Sequence, residues 1–126
     1  HLARLMNDKT DYLASITEIH HTQKIDAPSG TAVTLAKDLI SNHPTYSSWK
    51  LTGQSENMEK SDLPISAIRE ENVPGTHLIS YTSEIDTLTI EHQAHNRKGF
   101  ALGAVIAAEF IHKKQGVYTM SDILKF

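Results

Sequence analysis

The chain has 126 residues, of which 39% are hydrophobic and 21% charged, with a formal net charge of −3 and no cysteine. That length can bury the core of one domain, and the composition is that of a folded chain rather than a disordered one. Disulfides and thiolate metal sites are excluded, no apolar run approaches the roughly 18 residues of a membrane span, and an acidic balance with no Lys/Arg cluster larger than the Lys113-Lys114 pair argues against nucleic acid.

The opening His1-Leu2-Ala3-Arg4-Leu5-Met6 reads as the last turns of a helix already under way. It suggests a piece of a longer protein, although an engineered N-terminus would read the same way. Residues 12–21 form a strand ending in paired histidines. Alternation puts Ala14, Ile16, Glu18 and His20 on one side and Leu13, Ser15, Thr17, Ile19 and His21 on the other. Ala27-Pro28-Ser29-Gly30 is a turn, and Ser29, with Thr31 as competitor, caps a helix over 31–40. Ala32, Leu35, Ala36, Leu39 and Ile40 fall three and four apart and make one buried stripe.

Residues 42–64 are polar and rich in turn formers, which predicts a long surface loop held down by Trp49 and Leu51. Strands follow over 65–70, 77–83 and 86–95, the last two joined as a hairpin. Thr87, Thr89 and Glu91 share one face of the last strand, and threonine suits a face that is wet or packed on another subunit. A second helix over 98–113 is apolar around most of its circumference, predicting burial on more than one side. Ser121 would cap a short terminal helix carrying Ile123, Leu124 and Phe126. The order predicts an α+β domain over 1–126, with a mixed, mainly four-stranded sheet and helices packed on one face.

Chemistry concentrates in residues 20–31. Histidine exchanges protons near neutral pH, and lysine supplies a positive charge. His20 and Lys24 stand at a strand end from which both can reach one small molecule. The helix start at Gly30 and Thr31 offers free backbone N–H groups and the positive end of the helix dipole, so a carboxylate or phosphate is the natural guest. Asp26 can cap the turn, orient a histidine or pair with Lys24. Read singly, each residue has an ordinary role: a surface histidine pair, a solvated lysine, a helix start. No metal site is expected. His20, His21, His92 and His95 supply donors, but no HExxH pattern occurs and alternation separates them.

Glu18-Ile19-His20-His21 followed by Lys24-Ile25-Asp26-Ala27-Pro28-Ser29-Gly30-Thr31-Ala32 resembles the signature of the dihydrodipicolinate reductase family. Arg69, Val73-Pro74-Gly75-Thr76-His77, Glu91-His92, Ala94, Arg97, Phe100-Ala101 and Gly103-Ala104 agree with it, as does the closing stretch 116–124. The resemblance covers nearly the whole chain but only the family's second domain, the substrate-binding and oligomerisation part. The six glycines, at 30, 53, 75, 99, 103 and 116, form no GxGxxG fingerprint for a dinucleotide.

The resemblance implies a reductase that uses NADPH or NADH, bound mainly by a preceding Rossmann domain, to convert cyclic 4-hydroxy-tetrahydrodipicolinate to tetrahydrodipicolinate in lysine and diaminopimelate synthesis. It implies His20 and Lys24 as catalytic residues, His21, Lys24 and the Ser29-Gly30-Thr31 turn as the substrate set, and Arg97 and Phe100 at the nicotinamide. It further implies a cytoplasmic homotetramer assembled through its sheets. Two other readings compete: the C-terminal domain of another two-domain oxidoreductase, of the glucose-fructose or inositol dehydrogenase type, and a non-catalytic domain that binds a small anion.

Overall fold

The computed structural model describes residues 1–53 and 57–124. It contains α1 (Leu2–Leu5), β1 (Leu13–His20), α2 (Gly30–Asn42), β2 (Ser48–Leu51), β3 (Asp62–Arg69), β4 (Gly75–Thr82), β5 (Thr87–Ala94), α3 (Lys98–Ile111) and α4 (Met120–Leu124). Two compact units divide it, His1–Gln93 and Ala94–Phe126.

In the first unit five strands form one sheet in the order β2-β3-β1-β4-β5. β1 is central: it runs parallel to β3, with Ile16 opposite Ile65 and His20 opposite Arg69, and antiparallel to β4, with Glu18 opposite His77. The alternation read from the sequence holds, since Ala14, Ile16, Glu18 and His20 are all buried. Their face is covered by α2, whose Ala32, Ala36 and Leu39 join Ala14, Ile16, Leu63, Ile65 and Tyr81 in the core. Alanine at two of the three contact positions lets the helix lie close to the sheet. Tyr46 closes the bottom of this core. Its hydroxyl accepts from Ala14 N–H (2.8 Å) and donates to Ala14 C=O (3.1 Å), satisfying β1 just before its pairing with β3 begins.

The sheet has five strands, not four. Ser48–Leu51 lies in the stretch expected to be loop, yet pairs in parallel with β3, Lys50 opposite Pro64. Its short length and polar residues hide it from pattern reading. It is fixed from β3 by the Asp62 carboxylate, which takes Lys50 Nζ at 2.7 Å and the Ser48 hydroxyl at 2.5 Å. β3 also starts earlier than its apolar run, at Asp62, because that carboxylate accepts the Glu59 N–H (2.9 Å) and shapes the turn before it.

In the second unit no residue of α3 is buried, contrary to the burial its apolar circumference predicts; Phe100, Leu102 and Val105 are each more than half exposed. After α3, Lys114 Nζ sits over the Phe110 ring and Phe110 meets Tyr118 edge-on at 5.5 Å, an aromatic-cation cluster that closes the turn at Gly116. The terminal helix begins two positions earlier than the Ser121 cap predicts. Thr119 holds the start: its N–H and hydroxyl both donate to Asp122, the reciprocal half of a capping box, and Ser121 lies inside α4. Phe126 lies outside the described residues.

Candidate active site

Strand alternation dictates that a carboxylate at Glu18 must share the buried face with His20. Glu18 is fully buried, and a buried carboxylate has to be paired and hydrogen-bonded. Its partners come from three directions. Oε2 accepts the backbone N–H of Ser29 at 2.9 Å, drawing the start of α2 onto β1. Oε1 accepts from Arg69 Nη2 at 3.2 Å, across the parallel pair. His20 Nδ1 and His77 Nε2 stand 3.8 and 3.9 Å from Oε2. Burial pushes the Glu18 carboxyl up, but the Ser29 hydrogen bonds, His20 and Arg69 outweigh it and hold it below its ordinary value. Glu18 is therefore a fixed negative charge under two imidazoles.

His20 ends β1, and its backbone carbonyl accepts the Glu70 N–H at 2.8 Å. Its ring packs edge-on against His77 at 5.0 Å, and its buried Nδ1 has no hydrogen-bond partner. Burial lowers both imidazoles below their ordinary value, with Glu18 opposing and neighbouring positive groups assisting. Two imidazoles over one carboxylate share charge, so a proton taken by one is felt by the other.

Ser29 proves to be the N-cap of α2: its Oγ accepts Ala32 N–H at 3.2 Å, and Thr31 is inside the helix. The same Oγ lies 3.1 Å from His77 Nε2. With Ser29 N–H given to Glu18, Ala32 N–H to the cap and Val33 N–H to Ser29 C=O, the helix's first amides, Gly30 and Thr31, are those with no acceptor within the helix. Both residues are exposed, and a Cβ on Gly30 would meet nothing within 4 Å. Packing therefore does not demand glycine there, and its N–H is open to a ligand.

Between β1 and α2 the loop carries Lys24, whose Nζ is held by both oxygens of Asp26 at 2.8 and 2.9 Å. Of the three roles open to Asp26, it takes the pairing with Lys24. Arg69 fastens the loop from beneath: Nε donates to Lys24 C=O (3.2 Å) and Nη2 to Asp26 C=O (2.7 Å). His21, half-buried, closes the turn by accepting Lys24 N–H at its C=O, and its Nδ1 is buried without a partner.

The expected set His20, His21, Lys24, Ser29, Gly30 and Thr31 is thus gathered at the C-terminal end of β1. Arg97 and Phe100 belong to the second unit: Arg97 stands at the start of α3, with no side-chain hydrogen bond to cap it, and Phe100 is 55% exposed. Glu18, Arg69 and His77 complete the site although the motif reading gave them no role. Glu18 was detectable in principle, as a carboxylate two residues before His20 on the same face. Arg69 and His77 arrive through strand pairing, which no local pattern encodes. Among the described residues, Glu18, His20 and His77 are the one group whose donor atoms lie close enough together (within 4.8 Å) to share an ion. Both Glu18 oxygens are already committed to Ser29 and Arg69.

The sequence pattern of the family described as "Dihydrodipicolinate reductase, C-terminus" matches residues 1–124. The chain belongs to the dihydrodipicolinate reductase family. It is 48% identical over 123 residues to a 4-hydroxy-tetrahydrodipicolinate reductase of Christiangramia forsetii, covering 98% of this chain and 50% of that protein. It is 37% identical over 118 residues to the same-named protein of Buchnera aphidicola, covering 87% and 42%. A solved structure, "Dipicolinate bound Dihydrodipicolinate reductase from Paenisporosarcina sp. TG-14", superimposes with a TM-score of 0.64 at 26% identity, over 97% of this chain and 48% of that one. The chain spans about half the length of these dihydrodipicolinate reductases. Among its described residues no helix is long and apolar enough to cross a membrane.

Proposed function

We propose that residues 1–126 form the substrate-binding and proton-donating domain of an NAD(P)H-dependent 4-hydroxy-tetrahydrodipicolinate reductase. The observation that carries this reading is the convergence, above one buried carboxylate, of His20, Lys24 and the two free amides of α2. A cyclic substrate bearing two carboxylates needs such an arrangement: a cation for one and a helix N-terminus for the other. That a family relative carries bound dipicolinate, a flat ring of the same class, supports the same guest.

The net reaction consumes the hydroxylated cyclic imine, one hydride and one proton, and yields tetrahydrodipicolinate and water. When bound, the nicotinamide supplies the hydride. Lys24, released from Asp26, receives a ring carboxylate; Gly30 and Thr31 N–H groups receive the other, and we assign His21 to the same binding set. Hydride arrival places negative charge on the conjugated ring, and the nearby ammonium and imidazole stabilise it as it develops. His20, held over Glu18, is the acid whose proton is delivered to the ring or to the departing hydroxyl, and Glu18 stabilises its charged form. Of this chain's residues, the exposed Arg97 and Phe100 are those that would meet the nicotinamide end of the cofactor.

We further infer assembly as a homotetramer through the sheet. The exposed edge strand β5, with Leu88 and Ile90 uncovered, and the apolar α3 without a buried residue both support a protein partner on these surfaces. A cysteine-free composition supports a cytoplasmic setting.

The test uses the full reading frame that encodes these residues. With synthase-generated substrate, oxidation of NADPH and NADH is followed for wild type, His20→Ala and Lys24→Ala. Each substitution should lower kcat by about a hundredfold or more. Wild-type rates in both variants would refute the roles, and no turnover by the wild type with either cofactor would refute the reading.

A further inference from the structure

Arg69 ties the active-site loop to the sheet through a single side chain. One guanidinium donates to Glu18 Oε1 (3.2 Å), Lys24 C=O (3.2 Å), Asp26 C=O (2.7 Å) and the adjacent Ile68 C=O (2.8 Å). Glu18, in turn, takes the Ser29 N–H with its other oxygen. The Arg69–Glu18 pair therefore grips both ends of one loop. Arg69 fixes the stretch bearing the ammonium, and Glu18 fixes the first turn bearing the free amides. Arg69 itself is held by β3 at a register position opposite His20. It is only partly exposed, and its planar fork satisfies acceptors in several directions that an ammonium could not reach together.

We propose that Arg69 is a positioning residue that sets the span between Lys24 and the Gly30–Thr31 amides, and so selects a ligand with two carboxylates held a ring's width apart. The inference rests on the functional reading above. A ligand using one end of the site is indifferent to that span, whereas a ligand using both ends loses one anchor when the span changes.

Two planar probes separate these cases: pyridine-2,6-dicarboxylate, which engages both ends, and pyridine-2-carboxylate, which engages one. Calorimetric titration of the full-length protein should give the wild type a clear preference for the dicarboxylate. In Arg69→Gln that preference should fall at least about tenfold, the scale of one lost charge-assisted anchor, while affinity for the monocarboxylate stays within about twofold. KM for the dicarboxylic substrate should rise with the probe's Kd. Arg69→Lys, which keeps the charge without the fork, should resemble Arg69→Gln; it carries the test alone if the glutamine variant does not fold. An unchanged preference, or equal losses for both probes, overturns the positioning role while leaving the functional reading intact. A wild type that binds neither probe overturns the functional reading and this inference with it.

Discussion

Gly75 lies directly against the His20 ring: a Cβ on Gly75 would stand 3.3 Å from Nε2 and 3.4 Å from Cδ2. The buried strand start of β4 thus forms the wall that sets the imidazole over Glu18. Gly75 also has φ +157°, a conformation that residues with side chains seldom adopt.

Gly75→Ala should consequently push the His20 ring by a few tenths of an ångström and disturb its alignment. The expected outcome is a fall in kcat of about tenfold with little change in KM, since misplacement of a reacting group is felt in the chemical step. Steady-state kinetics on the full-length protein checks this, with circular dichroism showing that the fold is retained. An unaltered kcat would mean that the ring is not held from this side.

Asp26 occupies the Lys24 ammonium with both oxygens, in the manner expected of a ligand carboxylate. Asp26→Asn weakens that competitor without altering size. Affinity for pyridine-2,6-dicarboxylate should rise about two- to fivefold, an exposed ion pair being a modest interaction to displace. Titration calorimetry at two salt concentrations reads it; the gain should shrink as salt rises. A loss of affinity would instead make Asp26 the residue that aims Lys24.

Asp62 fastens β2 to β3, and its carboxyl is held down to about 2, chiefly by Lys50 and then by the Ser48 hydroxyl and Glu59 N–H. The folded state binds this proton more weakly than the unfolded state, whose carboxyl titrates near the ordinary 3.8. The stabilisation is therefore complete above about pH 4 and is lost as pH falls from there towards 2. Asp62→Asn should be less stable than wild type in urea unfolding at pH 6, and the gap should close on acidification to about pH 2.5. A gap independent of pH would attribute the loss to packing.

Residues 13–20 were legible because alternation and burial agree position by position, and Ser29 because a cap, a turn and a helical stripe meet there. β2 was not, since four residues with two polar side chains give no period to detect; its existence depends on Asp62 lying opposite Ser48. The same limit governed the site. Residues contiguous in the sequence were readable as a set, whereas Arg69 and His77 become members only through the pairing of β3 and β4 with β1. The apolar α3 shows the converse: composition reports that a surface seeks cover, not what provides it.

The central place of β1 carries a kinetic consequence. Its partners on both sides lie far along the sequence, Ile16 against Ile65 and Leu13 against Thr82, so two long loops must close before His20 has either neighbour. A molecule whose sheet is incomplete on either flank has Lys24 and the histidines but no scaffold to aim them. The proposed affinity for a dicarboxylate therefore belongs to the finished sheet, and such a ligand would raise the stability of the native state with the logarithm of its concentration.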